Sequence, residues 1–330
     1  MQIQPLTESH SEVCAQMFIN ARRQEQALTP ALSCPPDDLE NVASKLKDLL
    51  KSFPGVAALR DDILCGYLIG FALPEFMSAQ RGIYCPEWSH VTVGRERREV
   101  YREMYATLSP QWAQNGCYSH AITLFAHDSE AVDVWFGNGF GLNGVDAVRD
   151  LMPLNVPINS QIEIRRAAPA DASRLLPLMH NLRRHLAEGP VFLPLLEIDC
   201  LAELSTWLEE PNHALWFAQH ERKAVAFMRG QTAESEQRYI VSGADGIAIN
   251  AAYTESAWRG TGVASLLLNE LLAWAREQGL TRCSVDFESQ NIEANRFWLR
   301  HFTPACYSVI RRVDERLAWA NHKRPIETLW

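Results

Sequence analysis

The sequence lacks the marks of several protein classes. Its eight cysteines, at 14, 34, 65, 85, 117, 200, 283 and 306, form no C-x-x-C pair, and no histidine cluster has metal-ligand spacing. Zinc sites and disulfide scaffolds are therefore not expected, and the thiols read as free in a reducing cytosol. The opening MQIQPLTESH is polar and acidic, without the charged-then-apolar pattern of a signal peptide. No apolar run approaches membrane-spanning length. The expectation is a soluble, cytoplasmic protein with no membrane partner, either a monomer or a homodimer. A basic excess is also missing. Lys and Arg total 31 against 40 Asp and Glu, a net charge of −9. Non-specific nucleic-acid binding needs a basic footprint, so it is not expected. An anion held locally by backbone amides remains open.

What is present is ordinary globular composition, 47% hydrophobic and 22% charged over 330 residues, enough for two domains. The first half reads as a strand at 1–6, a helix from Glu8 to Arg23, a proline-rich loop, and a helix at 39–52. A hairpin follows at 56–59 and 64–71, then a strand at 89–93 and a helix at 96–115 closed by Gly116. A strand at 120–126 and a short helix at 129–136 complete it. The second half repeats the order. A strand spans 162–166, helices 170–186 and 197–208, a hairpin 215–219 and 224–229. A strand at 246–253, a loop, a helix at 263–278 closed by Gly279, a strand at 284–288, a helix at 293–300 and a strand at 305–313 follow. Landmarks match at nearly one offset. Trp112 corresponds to Trp274, Ala131 to Ala294, Trp135 to Trp298 and Phe140 to Phe302; the numbers differ by 162, 163, 163 and 162. Four matches in the same element order indicate duplication. Domains are expected at 1–155 and 161–330, with a linker around Leu154–Ser160 marked by Pro153 and Pro157.

The most informative run is Arg259-Gly260-Thr261-Gly262-Val263-Ala264, between a strand and an amphipathic helix. Glycines opening a helix leave backbone N–H groups at the positive end of its dipole, where a phosphate or pyrophosphate binds. A Cβ would block close approach of the ligand. A P-loop needs Lys-Ser/Thr after its second glycine, and this chain has Val263-Ala264. A dinucleotide fold needs a third glycine where Ser265 stands, although Asp286 lies near the distance its acidic residue would take. It also wants the strand to run almost directly into the first glycine, and six residues from Thr254 to Arg259 intervene.

Arg259, Gly262 and Ala264 read as R-x-x-G-x-A. Asn291, Ala294 and Trp298 read as N-x-x-A-x-x-x-[YW]. Together they resemble the GNAT superfamily of N-acetyltransferases, most closely over 246–313 and in element order over about 162–312. The resemblance implies an α/β (α+β) fold of two GNAT-like domains, each a mixed, mostly antiparallel twisted sheet flanked by helices. It implies that amides of Gly260, Thr261, Gly262, Val263, Ala264 and Ser265 bind the pyrophosphate of acetyl-CoA. Ala252, Tyr253 and Thr254 would pair with the pantetheine arm like an added strand, with Asn291 and Trp298 beside it. The first half keeps AVDVWFGNGFG of the second block, but its loop reads Gly94-Arg95-Glu96-Arg97-Arg98-Glu99-Val100. Its close glycines are gone, and a degenerate domain that does not take CoA in the usual way is expected.

Acyl transfer to an amine requires a neutral amine, a polarised thioester carbonyl and a proton for the leaving thiolate. The resemblance implies direct attack within a ternary complex. The strand 284–288 alternates, so Asp286 and Glu288 share one face. Glu288 is the first candidate base and Asp286 the second; a salt bridge to Arg282, Arg296 or Arg311 is the structural alternative. Many GNAT members have a tyrosine where Trp298 stands, and indole has no titratable proton, so Tyr307 and Tyr253 are the candidate acids. The loops after the first helix of the second domain, with His185, Glu188 and Phe192, would meet an unidentified amine acceptor. The reading is an N-acyltransferase using acetyl-CoA. The rivals are a CoA-binding sensor without turnover and a dinucleotide-binding oxidoreductase.

Overall fold

The structure, a computed structural model, describes residues 1–32, 39–76, 80–157, 159–195, 198–232 and 245–317. By contacts the chain divides into two compact units. The first takes most of Met1–Val145 and the chain from Ala305 onward; the second takes Asp146–Pro304. The last strand therefore groups with the first unit, although the sequence reading assigned it to the second. No helix among the described residues is long and apolar enough to cross a membrane.

The first unit begins with β1 (Gln2–Pro5), α1 (Ser11–Leu28) and α2 (Leu39–Ser52). The strands β2 (Gly55–Arg60), β3 (Ile63–Ile69), β4 (Phe71–Phe76), β5 (Gln80–Cys85) and β6 (His90–Thr92) follow. Then come α3 (Arg97–Gln114), β7 (Ser119–Phe125), α4 (Ser129–Gly137) and β8 (Gly141–Asp150). Strand order is β1-β2-β3-β6 in one sheet, and β4-β5-β7 runs onward to β14 (Thr303–Arg312) in the other. α3 buries Val100, Tyr101, Met104, Tyr105, Leu108 and Trp112, a stripe at helical spacing. It packs on Trp135, Phe140 and, from β14, Val309.

Two histidines lie in this core. His90 Nε2 meets the Thr123 carbonyl at 2.9 Å and His90 Nδ1 meets the Tyr101 hydroxyl at 3.1 Å. His120 repeats the pattern with the Cys117 carbonyl at 3.0 Å and Tyr105 at 2.8 Å. A carbonyl only accepts, so Nε2 carries the proton in each ring, and Nδ1 accepts from the tyrosine. Burial lowers both histidines to about 4, so both rings are neutral at neutral pH.

The second unit contains β9 (Glu163–Arg166), α5 (Ala172–Ala187), α6 (Cys200–Glu209), β10 (His213–His220) and β11 (Lys223–Thr232). It continues with β12 (Gly246–Thr254), α7 (Val263–Glu277), β13 (Arg282–Glu288) and α8 (Ile292–His301). Strand order is β13-β12-β11-β10-β9, antiparallel except for β12 beside β13. Leu175, Leu178, Leu204, Leu215, Phe217 and Phe227 form its core beneath α5 and α6. The expected linker is partly docked. Asn269 of α7 accepts from the Leu154 amide at 2.7 Å and donates to the Leu154 carbonyl at 2.9 Å.

The two units share register as well as order. The pair Ala72–Ile83 has its counterpart in Thr232–Ile247, and Cys85–Ile122 in Ile249–Val285. Gly66–Thr92 matches Ala226–Thr254, and Leu68–His90 matches Met228–Ala252. The single strands β11 and β12 are each broken in the first unit, into β3 with β4 and into β5 with β6. This is why β4 and β5 escape a sequence reading. Gly70 sits at the first break, where a Cβ would lie 2.5 Å from Ile83 and 2.7 Å from Trp112. Pro86 follows the second strand, and Pro74 sits inside β4. The hairpin strand expected at 64–71 therefore ends at Ile69. α1 runs on to Leu28 rather than Arg23, and α6 starts at Cys200, capped by Asp199; Glu197 lies outside the described residues.

β14 pairs antiparallel with β7 from Cys306–Phe125 to Arg312–Ser119, and Val309 is fully buried. A chain ending at Phe302 should lose this strand and leave β7 with an exposed edge. We expect loss of the cooperative thermal transition of the first unit; an unchanged melting profile would show that β14 is dispensable.

Candidate functional site

β12 and β13 pair only from Gly246–Arg282 to Ile249–Val285. β12 then bulges at Asn250, because Arg229 faces Ala251 while Gly230 faces Ile249. Beyond the bulge, Ala251–Thr254 remain on β11 and have no partner on β13 in the described register. The two strands separate, and the edge of β12 turned away from β11 loses its strand partner; the Thr254 carbonyl accepts from Arg259 instead. Arg229 supports the bulge, donating to Asn250 at 3.0 Å and to Glu203 at 2.9 Å.

The glycine run closes the far end of this wedge. Gly260 and Gly262 have φ of +77° and +86°, and Gly262 is the left-handed N-cap of α7. Left-handed backbone is the first reason for glycine here. The second is room, since a Cβ on Gly260 would meet nothing within 4 Å, so its surface is open to an incoming group. The first amides to bond back are Ser265 and Leu266, both to the Gly262 carbonyl at 3.0 Å. Among the described residues, the amides from Gly260 to Ala264 have no acceptor. They stand at the positive end of a helix of 15 residues, an arrangement that binds anions.

A cavity of about 500 Å3 occupies this place. Of the residues singled out from sequence, Ala252, Tyr253, Thr254, Arg259, Gly260, Gly262, Val263, Ala264, Ser265, Asn291 and Trp298 line it. Thr261 is not among them; its hydroxyl donates to the Trp258 carbonyl at 2.7 Å and steadies the turn. Asn291 is buried and caps α8, its Oδ1 accepting from the Ala294 amide at 3.1 Å. Trp298 is buried against Phe297 and Phe302.

Of the candidate acid–base residues Tyr253 lines the cavity, while Glu288, Asp286 and Tyr307 lie outside the lining. Glu288 is half-buried and Asp286 is exposed. Desolvation raises both carboxyls above their ordinary values, and Asp286 adds to the rise at Glu288. The ion pairs weighed as the alternative do not form among the described residues. Arg282 is buried and pairs with Asp245 at 3.0 Å, and Arg311 belongs to the first unit, 3.4 Å from the Tyr105 hydroxyl. Tyr307 lies on β14 in the first unit, paired with Leu124; burial and the nearby Glu25 raise its hydroxyl pKa. Cys283 and Cys306 are buried, and burial holds the Cys283 thiol protonated.

His185 of α5, read from sequence as facing the acceptor, also lines the cavity, as does Arg296 of α8, weighed only as an ion-pair partner. Sequence reading missed Leu182, Phe227 and Met228, from α5 and β11, and Glu293, Phe297, Arg300 and His301, from α8. The α8 residues follow helical spacing from Asn291, which was the available signal. Arg296 and Arg300 are exposed, and His301 is held toward its neutral form by burial and by Arg149 and Arg300. The cavity is therefore bordered by positive charge, with the one acidic residue, Glu293, engaged by Arg259 at 3.0 Å.

The Acetyltransferase (GNAT) family model matches residues 180–302, the stretch that builds this cavity. The second unit carries a domain of the GNAT acetyltransferase family. A solved GCN5-related N-acetyltransferase from Sphaerobacter thermophilus is 14% identical; the match covers 94% of this chain and 95% of that one, with a TM-score of 0.58. This fixes the fold over nearly the whole length as GNAT-like. A GNAT-family acetyltransferase from Colwellia psychrerythraea matches at 15% identity, covering 95% and 100% of the two chains, with a TM-score of 0.46. A tandem GNAT protein from the clavulanic acid biosynthesis pathway matches at 12% identity, covering 94% and 98%, with a TM-score of 0.47. No curated protein sequence matches.

The carboxyl shifts have a definite sign. A raised carboxyl binds its proton more tightly folded than unfolded, so stability falls as pH rises through the folded pKa. Glu288→Gln should raise Tm at neutral pH, with the gain vanishing below the ordinary glutamate value of 4.5. A lower Tm at neutral pH would instead reveal an ion-paired Glu288.

Proposed function

We propose that the second unit is an N-acyltransferase that moves an acetyl group from acetyl-CoA to a primary amine. One observation carries this reading: unpartnered amides from Gly260 to Ala264 adjoin the unpaired edge of β12 within one cavity. A pyrophosphate suits the amides, and an extended amide-bearing arm suits the strand edge. Pantetheine joined to a pyrophosphate has both parts in that order. The Thr254 carbonyl is taken by the Arg259 Nε at 3.1 Å, which leaves Ala252 as the backbone position for the arm. Arg296 and Arg300 add cationic groups for the remaining phosphate.

The reaction is written as direct attack. The amine nitrogen bonds to the thioester carbon, the C–S bond breaks, and the thiolate takes a proton. Glu288, then Asp286, is assigned as base for the ammonium proton. A carboxylate of raised pKa is better matched to this task near neutrality than an ordinary one. Tyr253 lines the cavity, which favours it over Tyr307 as proton donor to sulfur.

The first unit is assigned no acyl-CoA. Where the second has Ala252 and Val263, it carries His90 and Tyr101, whose side chains fill the space between β6 and β7. Its glycine run is replaced by the first turn of α3, where the Glu99 and Val100 amides already bond to the Glu96 carbonyl at 3.0 and 3.1 Å.

Calorimetric titration tests both statements. Acetyl-CoA should bind once per chain, and Gly262→Asp should weaken it at least tenfold, about 1.4 kcal/mol or more, with the fold retained. Two equivalents bound, or unchanged affinity in the variant, would contradict the assignment. Release of CoA thiol with a panel of amines separates an enzyme from a sensor, which would bind acetyl-CoA without turnover.

A further inference from the structure

The wedge between β12 and β13 is held by backbone hydrogen bonds at only one end, from Gly246 to Ile249. Across its open end a side chain makes the connection. That side chain is Arg259. Its Nε donates to the Thr254 carbonyl at 3.1 Å, at the end of β12. Its Nη1 donates to Glu293 Oε1 at 3.0 Å, in the first turn of α8 beyond β13. Its guanidinium also lies 5.8 Å from the centre of the Tyr253 ring. One side chain thus ties the β12 lip to the β13–α8 lip.

The first unit contains the same clasp. Arg97 Nε donates to the Thr92 carbonyl at 2.9 Å, and Nη1 to Glu130 Oε2 at 3.3 Å. Its other nitrogen, Nη2, donates to Asp128, the N-cap of α4. By register Thr92 matches Thr254, and Arg97, Asp128 and Glu130 stand at the positions of Arg259, Asn291 and Glu293. The clasp is present where His90 and Tyr101 fill the wedge and the amides are occupied. It therefore does not depend on a phosphate for its existence. In the second unit, Asn291 replaces the second carboxylate, so the clasp is kept with one negative charge fewer beside the free amides.

We propose that Arg259 and Glu293 form a latch that sets the width of the donor cleft, with Arg259 a positioning residue rather than a phosphate ligand. The proposal rests on the acyl-CoA reading of the cavity for its functional consequence, while the latch itself is a property of the free chain. The two roles make opposite predictions for Glu293. If Arg259 is a ligand, removing the neighbouring carboxylate frees its charge and tightens a polyanion. If it is a latch, removal loosens the cleft and weakens binding.

The experiment uses the full chain and two readouts. In the ligand-free protein, amide hydrogen exchange is followed at Ser265, Leu266 and Asn295, whose bonds to Gly262 and Asn291 close the two lips. Glu293→Gln should speed exchange at these amides several-fold and leave the β10 and β11 amides unchanged. Acetyl-CoA affinity by calorimetry should fall about fivefold, the scale of a partly exposed ion pair. The charge swap, Arg259→Glu with Glu293→Arg, should recover exchange protection and part of the affinity. Unchanged exchange in Glu293→Gln, tighter acetyl-CoA binding, or a swap no better than Arg259→Glu alone would overturn the latch. If the unaltered chain takes no acetyl-CoA, the functional reading fails, and the exchange readout still decides the latch.

Discussion

The site depends on the place where β12 and β13 stop pairing. Four residue pairs hold the strands together, and the bulge at Asn250 then turns β12 away while it stays on β11. A buried sheet normally has no unpaired backbone, because unsatisfied N–H and C=O groups cost stability. Here the interruption leaves one edge of β12 without a strand partner beyond Ile249. Gly262 then starts α7 beside that edge, with its amides aimed at the same space. The cavity follows from these two local breaks in hydrogen bonding rather than from a particular set of catalytic side chains.

The first unit shows what happens when the same backbone plan is kept and the space is filled. Its strands separate at the matching position, between Cys85 and His90, but His90 bridges to the Thr123 carbonyl and Tyr101 packs beside it. Both histidines of that core are neutral and satisfied, so the polar groups stabilise a closed interior. His90 and Tyr101 are buried in the first unit where the second has Ala252 and Val263. The clasp through Arg97 or Arg259 survives in both, which assigns it to the fold.

Much of this was legible in the sequence. The glycine run and the Asn291–Trp298 block located the cavity, and the landmark tryptophans disclosed the duplication. The loop reading underestimated one point, that Gly260 and Gly262 serve backbone conformation as much as ligand access. β4 and β5 were hidden because Pro74, Gly70 and Pro86 interrupt strand periodicity at the breaks of longer strands. The grouping of β14 with the first unit could not be read locally, since a strand's sequence does not name the strand it pairs with. The same limit applies to Arg259. The motif marked Arg259 as part of the CoA-binding run, whereas its partners, Thr254 and Glu293, are fixed by the tertiary fold.

The central claim is that free amides at the start of α7 and the unpaired edge of β12 together form one acyl-CoA site. Backbone amide NMR of the full chain during acetyl-CoA titration tests it most directly. The account predicts shifts concentrated at Gly260–Ser265 and Ala252, with Thr92–Val100 of the first unit unmoved. Shifts confined to the first unit, or none at Gly260–Ala264 at saturation, would contradict it.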